Sequence, residues 1–158
     1  MALSATGLAD EIRIAMGFPN PVSAELVGWA SGVVTEITVN GSAATGSPGP
    51  TNAVSGLSGP TLATSIVSGA GYPGTSAELL SYATAVAGYM VATAKVTYVN
   101  APDWNAGGTI SLMTGAGMAA AIAAGVGYPS VSAELLAKST AMVDHIQTNA
   151  LVNGGTIT

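Results

Sequence analysis

Apolar residues recur at helical spacing in six stretches, and the stretches come in pairs. The first member of each pair carries Leu8, Ile12 and Met16; Leu62, Ile66 and Ala70; or Met118, Ile122 and Val126. That i, i+4, i+8 stripe marks one buried helix face. Ser4, Ser58 and Thr114 stand just ahead of these stretches, where a hydroxyl accepts from orphan backbone N–H groups. Gly17, Gly71 and Gly127 follow them and suit the left-handed conformation just past a helix end. Pro19, Pro73 and Pro129 then block continuation. The residues between glycine and proline, Phe18, Tyr72 and Tyr128, are expected to fold back on the last helical turn against Ile12, Ile66 and Ile122.

The second member of each pair starts at Ser23, Ser76 or Ser132. Glu25, Glu78 and Glu134 come two residues later, where a carboxylate meets the positive end of a helix dipole. Val22 with Val27, and Val131 with Leu136, form hydrophobic staples. The buried stripes run Leu26, Ala30, Val33, Val34, Ile37; Leu79, Ala83, Val86, Ala87, Met90; and Leu135, Ser139, Met142, Val143, Ile146.

The phrase Gly-aromatic-Pro leading to Ser-Ala-Glu-Leu thus occurs three times, about 55 residues apart, which is the mark of a copied supersecondary unit. The expected fold class is mainly α: three helical-hairpin repeats packed in one domain, with short β-hairpin-like connectors. The domain covers 1–158, with repeats at about 3–38, 57–94 and 112–152 joined by Gly/Pro/Thr-rich connectors. One helix pair cannot bury its apolar face alone, and stacking three closes a core.

The connectors differ. Asn40 to Gly56 is rich in Gly, Ser, Pro and Thr and reads as an extended loop, long enough to be suspected of function. Lys95 to Asn100 alternates in strand fashion, and Gly107 to Ile110 offers a returning partner, giving a small hairpin with Trp104 near its tip. Asn153-Gly154 near the end is a hairpin turn signal, but few residues follow, so a frayed tail is expected ahead of an edge paired in a neighbouring subunit.

Composition narrows the function. Only 7% of the 158 residues are charged, and the net charge is −5. A surface this neutral favours association with neighbours. Arg13, Lys95 and Lys138 are the only basic residues, too few for a phosphate-tracking patch, so nucleic acid is not an expected partner. The absence of cysteine excludes disulfides, thiolate catalysis and Cys-ligated metals. The N-terminus lacks the basic region of a secretory signal and carries Asp10 and Glu11. The charge-free run Ile110 to Tyr128 has the length of a membrane span. Its counterpart in the first repeat carries Asp10, Glu11 and Arg13, and glycines interrupt it, so no span is expected.

No convincing catalytic set emerges. Glu25, Glu78 and Glu134 are the only charged residues common to all three repeats. They serve as helix N-terminal charges, or they converge on an axis to hold a hard cation. His145, the only histidine, has Glu36 and Tyr89 as counterparts, and no serine stands in a nucleophile elbow. Trp29, Tyr82 and Lys138 share one helix position, read as part buried and part wet. Trp104 is either an interface anchor or a cover over the protein's own core. No phosphate-binding loop motif is present, and no cofactor is expected.

The module phrase Leu-Ser-Gly, Gly-Tyr-Pro, Ser-Ala-Glu-Leu and the Thr/Gly/Asn-rich connectors resemble the small virion structural proteins of tailed bacteriophages. That resemblance covers most of the chain. It implies a non-enzymatic virion subunit, in a capsid decoration, neck or tail position, whose partners are other virion proteins or copies of itself. The alternative from the residues themselves is a binding module for a surface glycan or a cation, using the connector loops and Trp104.

Overall fold

A computed structural model describes residues 2–105 and 107–158. Six α-helices dominate it: α1 (Ala5–Ala15), α2 (Ala24–Thr35), α3 (Gly59–Ala70), α4 (Ala77–Thr93), α5 (Gly115–Val126) and α6 (Ala133–Asn149). Each packs on its neighbours in the chain, and α6 returns to α1, so the helices close into a ring. Local chemistry sets every start. Ser4, Ser23, Ser58, Ser76, Thr114 and Ser132 are all extended at the N-cap, and each hydroxyl accepts from the backbone N–H three residues on. Gly71 and Gly127 end α3 and α5 in the left-handed region, at φ 72° and 87°. Gly17, at φ 69°, does the same one residue past the α1 cap.

Six short strands sit at the end of the ring opposite the Gly-aromatic-Pro turns. They are β1 (Ser42–Ala43), β2 (Asn52–Ser55), β3 (Lys95–Tyr98), β4 (Gly108–Ser111), β5 (Leu151–Asn153) and β6 (Thr156–Ile157). All neighbours are antiparallel, and β1 pairs with β6, so the sheet closes into a barrel. The register sets Ser42 opposite Ser55, Val96 opposite Ile110 and Val152 opposite Ile157. Closure removes exposed strand edges, which lets strands of two residues persist.

Two expectations for the connectors are therefore corrected. Asn40 to Gly56 is not an extended loop but a π-helical turn (Glu36–Asn40) continuing α2, followed by the β1–β2 hairpin. Asn52 holds the loop between those strands: its amide donates to the carbonyls of Ser47 and Val96 at 2.8 and 2.9 Å, and its oxygen accepts from Ser47 N–H. The chain end is not frayed. β5 and β6 form a hairpin that completes the barrel, because β4 and β1 supply the pairing that so short a segment lacks alone. The expected β3–β4 hairpin is present, with Trp104 in its loop.

The core runs from helices into barrel without interruption. Leu8, Ile12, Leu62, Ile66, Met118 and Ile122 are buried along the first helices of the pairs, and Val33, Ile37, Val86, Met90, Met142 and Ile146 along the second. Val54, Val96, Ile110, Val152 and Ile157 fill the barrel.

The seams between pairs differ in closeness. At α2–α3, Gly28, Gly32 and Gly69 bring backbone against backbone, and a Cβ on Gly28 would lie 2.8 Å from the Gly69 carbonyl carbon. At α4–α5, Gly125 faces Ala85. At α6–α1 the corresponding residues are Ala137, Ala141 and Ala15, and a groove opens between the helices, flanked by Glu11 and Asp144.

Candidate functional site

At the turn end of the ring, the second turns of α2, α4 and α6 aim one side chain each at the axis. These are Trp29, Tyr82 and Lys138, the three residues that share a helix position. Trp29 and Tyr82 meet edge to face at 6.1 Å between ring centroids. The Lys138 ammonium lies 3.8 Å from the Trp29 ring centroid and 5.1 Å from that of Tyr82. Attraction of the cation to the ring faces offsets part of its desolvation. Burial still lowers the Lys138 pKa from 10.5 to about 8. The Tyr82 hydroxyl is enclosed with no hydrogen-bond partner, and burial pushes its pKa up strongly.

Around this centre stand the N-termini of α2, α4 and α6 with Glu25, Glu78 and Glu134, all exposed. The three carboxylates do not converge: among the described residues no cluster has the makings of a metal site. Two of them instead take a tyrosine from the next turn along the ring. Tyr72 donates its hydroxyl to Glu25 at 2.9 Å, and Tyr128 donates to Glu78 at 2.7 Å. The Tyr128 pKa is raised chiefly by that bond, and the Tyr72 pKa chiefly by burial with the Glu25 bond second. The two turn tyrosines thus tie their helix pairs to the preceding ones. Phe18, in the corresponding place, has no hydroxyl to offer Glu134 and is about half exposed.

The remaining sequence candidates fall elsewhere. Gly17, Pro19, Gly71, Pro73, Gly127 and Pro129 shape the turns, and Ser23, Ser76 and Ser132 cap helices. Trp104 packs edge to face on Tyr98, with centroids 5.3 Å apart, and its carbonyl accepts from Gly154 N–H, so it covers its own barrel.

His145 and its counterparts Glu36 and Tyr89, aligned in the sequence without a shared role, form a second set. Each joins the second helix of one pair to the first helix of the next. Glu36, fully buried, accepts from Ser58 N–H at 3.2 Å, Thr61 hydroxyl at 2.6 Å and Asn40 amide at 2.7 Å. The Tyr89 hydroxyl accepts from Thr114 N–H at 2.9 Å and donates to the Thr114 carbonyl. His145 Nδ1 meets Glu11 of α1 at 2.9 Å. Three different side chains thus tie the second helix of one pair to the first helix of the next, Glu36 and Tyr89 at its start and His145 at its middle. The shared sequence position grouped them, and the differing residue types concealed the common role. No nucleophile is paired with His145 among its hydrogen-bond partners, which are Glu11 and Asn149.

No protein-family model matches this chain, and no curated protein or solved structure matches it significantly. Among the described residues, no helix is long and apolar enough to cross a membrane.

Proposed function

We propose that the chain is three copies of one unit, a helix pair followed by a β-hairpin, closed into a ring. In this reading it serves as a non-enzymatic structural subunit of a virion, in a capsid decoration, neck or tail position. The observation that carries the reading is the group of exposed aliphatic residues at the barrel end of the ring. Near the barrel, Val39, Val99 and Leu112 are 72%, 70% and 57% exposed. Single exposed apolar residues are ordinary, but here they coincide with a surface supplied by only three basic and eight acidic residues. Contacts made by such a surface draw on apolar burial, at about 25 cal/mol per Å².

Leu112 adds a specific point. It sits at φ 71°, the left-handed region, at the position where the β2–α3 connection has Gly56 at φ 83°. In this reading an exposed leucine is kept in a strained conformation for its contact with a neighbour. Carbene footprinting tests the reading: Val39, Val99 and Leu112 should be labelled in the free protein and shielded in large particles from the source. Equal labelling in both states would overturn it.

A further inference from the structure

The rim around the Lys138 axis is bridged by a tyrosine–glutamate hydrogen bond in two sectors and unbridged in the third. The sectors bridged by Tyr72–Glu25 and Tyr128–Glu78 hold cavities of ≈ 250 and ≈ 220 Å³. The sector beside Glu134 has no bridging hydroxyl, because the turn that would supply one carries Phe18. Its cavity is ≈ 530 Å³, within the about 300–1,000 Å³ range of small-molecule clefts.

We infer that this third sector binds a neutral, polyhydroxylated ring, a saccharide. Its lining includes Tyr82, Tyr128, Ser130, Ser132, Glu134 and Lys138. Glu134 offers a carboxylate that accepts from hydroxyls, as Glu25 and Glu78 already do from tyrosines. Lys138 makes no ion pair among the described residues, so its ammonium is available to donate to a hydroxyl oxygen. The tyrosine rings supply apolar faces for the C–H side of a sugar ring, and Tyr82, whose enclosed hydroxyl has no partner, lines the same cleft. Net charge of either sign in the ligand is disfavoured: an anion meets Glu134, and a cation meets Lys138. A molecule whose hydroxyls both donate and accept satisfies the two together. This inference stands apart from the assembly role, since the cleft is lined by one chain at the end of the ring opposite the barrel and its test uses the free protein.

The test is ¹⁵N-resolved NMR titration of the full chain with methyl β-glucoside, methyl β-galactoside and N-acetylglucosamine in turn. At least one should produce saturable shifts at the amides of Ser130, Ser132, Glu134 and Leu135, with a dissociation constant on the order of 1 mM. Glu134→Ala should weaken that binding about tenfold, the loss of one charge-assisted hydrogen bond. Glu25→Ala, at the same helix position in a bridged sector, should leave it unchanged. Absence of saturable shifts with all three sugars would overturn the inference. So would equal weakening by the two alanine variants, or tighter binding of acetate or tetramethylammonium at the same amides.

Discussion

Replacing Gly28 and Gly88 by alanine should move stability in opposite directions, although both lie inside helices. Alanine is the better helix former by about 1 kcal/mol. At Gly88, on α4, a new Cβ has nothing within 4 Å, so that gain stands alone. At Gly28 the Cβ would lie 2.8 Å from the Gly69 carbonyl carbon and 2.9 Å from Ala70 Cα. These are backbone atoms, so no side chain can swing aside and α2 must separate from α3. Overpacking costs about 1–3 kcal/mol where side chains adjust, and backbone contact belongs at the upper end. Subtracting the propensity gain leaves Gly28→Ala less stable by about 2 kcal/mol. For a chain of this size, 1 kcal/mol corresponds to about 2–4 °C in Tm. Thermal unfolding followed by circular dichroism should therefore show Gly88→Ala about 2–4 °C above the parent chain and Gly28→Ala about 4–8 °C below it. An unchanged or raised Tm for Gly28→Ala would refute the close approach of α2 and α3.

Other perturbations probe other parts. Glu36→Ala, which strips the acceptor from Ser58 N–H and the Thr61 hydroxyl, should cost about 3 kcal/mol in urea unfolding, with Glu36→Gln losing much less. Lys138→Met tests the buried ammonium through pH. Its folded pKa of about 8 lies below the usual 10.5, so the folded chain sheds this proton first and the parent chain gains stability as pH rises through that interval. The parent should gain on Lys138→Met by at most about 1.4 kcal/mol per pH unit across that window, and parallel curves would contradict the burial. Leu112→Gly relieves a left-handed leucine worth about 1–2 kcal/mol against a glycine entropy cost of about 0.5–1 kcal/mol. The isolated protein should become slightly more stable in urea unfolding while its incorporation into particles falls.

Much of the helical frame was legible in local chemistry, because helix starts and stops depend on single residues. A serine or threonine hydroxyl three residues from an N–H caps a helix in any fold, and all six expected caps form. The barrel was only partly legible. Lys95 to Tyr98 alternates between half-buried and buried positions and reads as a strand, but Ser42–Ala43 and Thr156–Ile157 are too short for any periodicity. Their structure comes from partners distant in sequence, as with Ser42 between Ser55 and Thr156. The axial cluster was half legible. The shared helix position of Trp29, Tyr82 and Lys138 could be read, but convergence on one point requires the closure of the ring. The same holds for Glu36, whose burial follows only once α3 docks against it.

The most direct test of the structural role is density-gradient separation of large particles from the source, with mass spectrometry quantifying this chain in each fraction. The account predicts that the chain travels with a phage-like particle at fixed stoichiometry. Recovery only as a free monomer, absent from every large particle, would contradict it.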